Sequence, residues 1–196
     1  ITTGLGEIYQ YTLEVKPEFK SQYSVTDLRT LQDWVVKRQL SGIKGVVEIN
    51  TCGGYHKQYE IAMGPSRVKA MNITTLDEFN ALEKNNSIAG GAYIEKTNQS
   101  YFIRAEGKVK SIEDIENIVV KNTNGLPIFI KNVAQVRYGN ANRFGAITGN
   151  GEGEKVLGQV MMLKGGNSKQ VISDVKNRVA KIQKSLPKGV YINGFL

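Results

Sequence analysis

The chain has 196 residues, enough for one large domain or two small ones. Hydrophobic residues make up 40% and charged residues 22%, and no apolar run approaches the roughly 20 residues that cross a bilayer. The net charge of +8 is spread along the sequence and is densest only at Lys37-Arg38; with no Arg-rich block and no aromatic-glycine RNA-binding signature, a solvated surface accounts for it better than nucleic acid does. One cysteine, Cys52, excludes an internal disulfide. The chain opens at Ile1 without Met and stops soon after a strand-like GVYING, which reads as an excerpt from a longer protein.

Residues 5–16 (LGEIYQYTLEVK) alternate in character and are rich in aromatic and β-branched types, the pattern of a strand. Ser24 and Asp27, three apart, predict a capping box opening a helix to about Leu40, with Leu28, Leu31, Trp34 and Val35 on its apolar face. Gly42 ends it, and GVVEINT and YHKQYEIAM follow as strands around Gly53-Gly54. After Gly64-Pro65 a short helix is expected over 66–71. Thr75 with Glu78 then predicts a capped helix bearing Leu76, Phe79 and Leu82. From Leu82 to Gly107 the chain turns at Gly90-Gly91 into a hairpin, its arms carrying Tyr93, Glu95, Lys96, Tyr101, Phe102 and Arg104 around Asn98-Gln99. Such a ribbon is marginal alone and should lean on its own domain or on a neighbouring subunit.

Ser111 caps another short helix to Glu116, and 118–121, 126–130 and 133–138 are strand-like. Then come 146–148 and 154–164 as strands. A helix from Asn167 to Ser185 carries Val171, Val175, Val179, Ile182 and Leu186 at three- and four-residue spacing, and a last strand covers 190–193. Both ends of the chain thus run strand, amphipathic helix, strand. The fold class is α+β: a split βαβ, ferredoxin-like subdomain over 1–63 and 144–196, interrupted by an α+β insertion over 64–143.

Candidate chemistry is sparse. His56 is the only histidine, and with Cys52 it offers two metal ligands where a zinc site takes three or four, so ordinary hairpin residues are the better reading. The adjacent Met161 and Met162 must point to opposite faces of a strand; packing is the default and a functional cleft the alternative. Gly149, Gly151 and Gly153 imitate a dinucleotide fingerprint but join two strands rather than a strand and a helix. Gly165-Gly166-Asn167 could hold an anion or simply cap a helix. No catalytic constellation, cofactor motif or metal-ligand set emerges.

Several segments nevertheless resemble one family. GEIYQYTLEV, DLRTLQDWVVKRQLSGIKGVVEINTCGGYHKQYEI, GGAYIEKTNQSYFIRAEG and NGEGEKVLGQVMMLKGGNS are similar to the heavy-metal efflux branch of the resistance-nodulation-division transporters, and the match runs through the whole chain in order. The resemblance implies a periplasmic porter subdomain (1–63, 144–196) split by a docking subdomain (64–143) of a bacterial inner-membrane proton antiporter. It also implies a homotrimer whose hairpin, with Tyr93, Glu95, Lys96, Asn98, Tyr101 and Arg104, reaches into the next protomer. An adaptor and an outer-membrane channel would dock nearby, and heavy-metal cations would be the cargo. Met161 and Met162 become candidates to line the cleft. Asn142 and Arg143 stand near a junction where copper and silver members can carry methionine, which favours divalent cations. The competing expectation is a stand-alone basic ferredoxin-like module binding nucleic acid or protein.

Overall fold

The computed structural model describes residues 6–89, 93–96, 99–102 and 105–195, with backbone pairing alone over 88–106. The chain is α+β. It begins with β1 (Glu7–Val15), α1 (Val25–Leu31), a π-helical turn (Gln32–Val36), α2 (Lys37–Leu40) and β2 (Val46–Cys52). Next come β3 (Lys57–Met63), α3 (Pro65–Ala70), α4 (Thr75–Lys84), β4 (Ile88–Ala89), β5 (Tyr93–Lys96), β6 (Gln99–Phe102) and β7 (Ala105–Glu106). They are followed by α5 (Ile112–Glu116), β8 (Val119–Thr123), β9 (Leu126–Phe129), α6 (Ile130–Val133) and β10 (Ala134–Asn140). The remainder is β11 (Ile147–Thr148), β12 (Glu154–Met162), α7 (Ser168–Gln183) and β13 (Val190–Gly194). Two compact units result: a split unit, Ile1–Lys57 with Asn140–Leu196, and a middle unit, Gln58–Gly139.

In the split unit, β1 lies between β13 and β12, and β12 lies between β1 and β2, with every pairing antiparallel. The first and second strands therefore run parallel with a strand from the far end of the chain between them. Short β11 adds to β12. Alternation decides the faces. Tyr9, Tyr11 and Leu13 of β1, Val156 and Val160 of β12, Ile49 of β2 and Val190 of β13 point into one core. Leu28, Val36 and Leu40 of the first helical segment and Val171, Val175 and Ile182 of α7 cover it, so both helical segments lie on the same side of the sheet.

Helix α1 opens on the expected capping box, the Asp27 N–H donating to Ser24 Oγ at 3.2 Å and the Ser24 N–H to the Asp27 carboxylate at 2.9 Å. Its inward face differs from the expected one. Leu28, Gln32, Val36 and Leu40 are buried, whereas Trp34 is 56% exposed. The cause is a buried polar bond. Tyr11 occupies the space left by Gly158, its register partner, where a Cβ would stand 2.3 Å from the ring carbon Cζ. Its hydroxyl meets the Gln32 side chain at 2.9–3.0 Å. A buried hydroxyl without a partner would cost a few kcal/mol, so the helix presents Gln32 inward and widens by one residue there.

The middle unit has its own core of Ile73, Ala81, Ile115, Ile118, Ile130, Val133, Ala134 and Val136. Strand β8 pairs β9 as a hairpin, β3 pairs β10, and β5 pairs β6 with Tyr93 opposite Phe102 and Glu95 opposite Ser100. Helix α4 corrects the sequence reading twice. Its cap is one residue earlier, with the Asp77 N–H on Thr74 Oγ1 at 3.1 Å and the Thr74 N–H on the Asp77 carboxylate at 2.8 Å. Its apolar pair faces outward: Leu76 is 66% and Phe79 61% exposed, while Glu78 is only 4% exposed and its Oε2 has no hydrogen-bond partner among the described residues. Ile73 just before the helix and Ala81, small enough for close approach, turn the 78–81–82 stripe toward the core.

Two outcomes follow from these packings. Gly158→Val should lower stability by about 3 kcal/mol through overpacking against Tyr11, read as a lower urea midpoint in the fluorescence of Trp34, the only tryptophan. Burial raises the Glu78 carboxyl above its usual value, so the stability present below about pH 4.5 is lost as pH rises through the elevated pKa. Glu78→Gln should raise the thermal midpoint of the middle unit at pH 7 and leave it nearly unchanged at pH 4, followed by circular dichroism.

Candidate functional site

The same alternation that sends Tyr9, Tyr11 and Leu13 to the helices turns Gln10, Thr12 and Glu14 to the opposite face of the sheet. Asn193 and Tyr191 of β13 and Lys155 of β12 join them around Glu14. One carboxylate oxygen accepts from Tyr191 Oη at 2.8 Å; the other accepts from Thr12 Oγ1 at 2.9 Å and Asn193 Nδ2 at 3.2 Å. Lys155 Nζ lies 3.4 Å from it and also pairs with Glu152. Burial pushes the Glu14 carboxyl up, but the hydrogen bonds from Tyr191, Thr12 and Asn193 and the charge of Lys155 outweigh it and bring the pKa down to about 2.

Beside this cluster is a hollow of about 430 Å³, lined by Gln10, Thr12, Glu14, Lys155, Leu157, Asn193, Phe195 and the 147–150 segment. Its donors and acceptors already face one another. Glu14 is saturated, so it is a poor candidate for a vacant cation ligand or a general base. Among the described residues no three His, Cys, Asp or Glu side chains converge. The face suits contact with polar groups, not bond making.

The sequence-derived candidates fall elsewhere. Met161 is only 6% exposed, at an irregularity in strand register opposite Glu7 and Glu48, and Met162 packs against the helix-covered core; neither lines the hollow. Of the hairpin residues, Tyr93, Glu95 and Lys96 lie on β5 and Tyr101 on β6, while Asn98 and Arg104 lie outside the described residues. His56 Nδ1 is 3.4 Å from the Asp33 carboxylate, which also accepts from Arg29 Nε at 2.8 Å. Cys52 sits in register with Leu157, half-buried and free. Asn167 caps α7 with its own side chain, accepting the Gln170 N–H at 3.1 Å, and so fills the position an anion would take.

Arg143 has a structural task. Its guanidinium stacks on Tyr55, 3.8 Å from the ring centre, donates to Tyr55 Oη at 2.9 Å and pairs with Glu154, which also accepts the Gly54 N–H at 2.9 Å. With the Ala141 N–H on the His56 carbonyl at 2.9 Å, this holds together the two places where the chain leaves and re-enters the split unit. The Glu14 cluster escaped the sequence reading because its members come from three strands far apart in sequence. Only the polar phase of β1, Gln10–Thr12–Glu14, hinted at it.

A model of the AcrB/AcrD/AcrF family matches residues 1–196. The chain is 45% identical over 196 residues to the cobalt-zinc-cadmium resistance protein CzcA of Cupriavidus metallidurans, covering 98% of this chain and 18% of that protein. It is 37% identical over 191 residues to the cation efflux system protein CusA of Escherichia coli K12, again 18% of that protein's length. A crystal structure of a heavy metal efflux pump superposes with a TM-score of 0.82 at 27% identity, covering 100% of this chain and 19% of that one. The chain thus spans about a fifth of the length of the relatives it matches.

The lowered pKa of Glu14 gives the split unit a stability that is present above about pH 4.5 and is lost as pH falls toward about 2. Discounted for solvent screening on an open face, it is worth on the order of 2 kcal/mol. Glu14→Gln should lower the unfolding free energy at pH 7 by that amount, read from urea titrations, with the gap to the parent chain closing toward pH 2.

Proposed function

Because the chain belongs to the AcrB/AcrD/AcrF family, we propose that it is the periplasmic porter and docking portion of a proton-driven heavy-metal cation efflux pump of a bacterial inner membrane. The observation that carries this reading is the match of sequence and fold from end to end, with CzcA and with a solved heavy metal efflux pump. The porter subdomain corresponds to residues 1–63 with 144–196 and the docking subdomain to 64–143. No helix among the described residues is long and apolar enough to cross a membrane.

The porter sheet contributes one wall of a cleft that opens and closes around metal ions, and its charge-neutralised polar face lets ions pass without being trapped. Divalent cations are the cargo: the chain is 45% identical to a protein named for cobalt, zinc and cadmium, and Arg143 is committed to Tyr55 and Glu154 where a methionine relay would need a soft ligand. The segment of the chain carrying Tyr93, Glu95, Lys96, Asn98, Tyr101 and Arg104 contacts a neighbouring protomer in a homotrimer. A periplasmic adaptor and an outer-membrane channel complete the assembly, and no catalytic role is assigned.

The test is a chimera in which this chain replaces the matching segment of Cupriavidus metallidurans CzcA. It should confer cobalt, zinc and cadmium resistance on a pump-deleted host, and deleting 95–101 from it should lower trimer recovery on native gels. A chimera that reaches the membrane at normal levels yet leaves the host metal-sensitive would count against the assignment.

A further inference from the structure

We infer that the outward side of the π-helical turn Gln32–Val36 in the split unit is a docking surface for an acidic segment of a partner protein, anchored on Trp34. The inference stands on this turn alone and does not depend on the transport reading. The turn serves two sides at once. The Lys37 N–H reaches back five residues to the Gln32 carbonyl, and the extra residue lets Gln32 and Val36 point into the core while Trp34 and Arg38 share the opposite side. Such turns are rare and concentrate at functional sites. Trp34 is the only tryptophan in the chain and lies more than half exposed. A large amphipathic ring left outside a core that has space for Tyr9 and Tyr11 is the composition of an interface anchor.

Its surroundings specify the partner's charge. A hollow of about 340 Å³ is lined by Arg29, Asp33, Trp34, Lys37, Arg38 and His56. Asp33 is the sole carboxylate among the described lining residues, and Arg29 already holds it. Lys37 and Arg38 have no carboxylate partner among the described residues. The Arg38 guanidinium stacks on Trp34, 4.2 Å from the ring centre. That cation–π contact fixes the guanidinium plane and leaves its edge donors free for a carboxylate, the geometry in which arginine recognises acids most tightly. One ring with a stacked arginine and a neighbouring lysine suits an acidic peptide that also offers an apolar side chain. It offers no second tyrosine, phenylalanine or tryptophan among the described lining residues for stacked bases, and one carboxylate with one imidazole is too few for a metal.

The experiment uses the 196-residue chain and a labelled peptide of glutamates interrupted by one leucine. Trp34 emission should shift to shorter wavelength saturably, and added salt should weaken the binding. Lys37→Glu with Arg38→Glu should reduce affinity about tenfold or more, and Trp34→Ala, read by peptide anisotropy, by a similar factor. All three side chains lie outside the core, so circular dichroism should be unchanged and a folding defect is distinguishable from lost binding. The inference is overturned if the glutamate peptide gives no saturable signal, if a lysine counterpart binds equally, or if the charge-reversed variant binds as well as the parent. Phosphatidylglycerol vesicles shifting Trp34 while the peptide does not would assign the patch to a membrane surface and overturn it as well.

Discussion

Inside the apolar layer of the split unit, the Tyr11 hydroxyl and the Gln32 amide satisfy each other, and much of the surrounding geometry follows from that one bond. A tyrosine in the middle of a buried strand needs space for its ring and a partner for its oxygen. Gly158 on the adjacent strand gives the first, because any Cβ there would overlap the ring. Gln32 gives the second, but a glutamine can point inward only if the helix presents it there, and the π-helical turn is the local rearrangement that does so. The same turn carries Trp34 out to solvent. A requirement of hydrogen bonding in the core thereby sets what the surface displays.

On the other side of the sheet the constraint is electrostatic. Glu14 would be costly half-buried and alone, and four groups from β1, β12 and β13 hold it ionised. The result is a polar face with little unspent hydrogen-bonding capacity at its centre, stabilising the strands that supply the donors. The split unit faces a second demand, since its chain is interrupted by the whole middle unit. Arg143, Tyr55, Glu154 and the Gly54 amide answer it by fastening the exit and the return to one another. A residue standing where metal chemistry could be sought is therefore occupied by architecture.

The middle unit contains an inverted helix. In α4 a glutamate is buried and a leucine and a phenylalanine are presented outward. Burying Glu78 without a partner costs stability, and exposing Phe79 forgoes a gain of about 2 kcal/mol. Local hydrophobic content thus yields to the packing of Ile73 and Ala81 against the rest of that core.

Much of the architecture was legible in the sequence. Period-two alternation in GEIYQYTLEV placed β1, the 171–175–179–182 spacing placed α7 and its face, and hydroxyl–carboxylate pairs placed the caps at Ser24 and Ser111, because each of these depends on residues within a few positions of one another. The strand–helix–strand pattern at both ends gave the α+β class, and the family was legible in segments along the entire chain. Tertiary structure alone decided the rest. Leu76, Phe79 and Trp34 look like core residues in any helical projection, and only the partners across the fold, Ala81 with Ile73 and Tyr11 with Gly158, determine that they face water. The Glu14 cluster joins Thr12, Lys155, Tyr191 and Asn193 over some 180 positions of sequence. A side-chain oxygen's partners are chosen by which strands the sheet sets side by side, and that choice belongs to the whole chain.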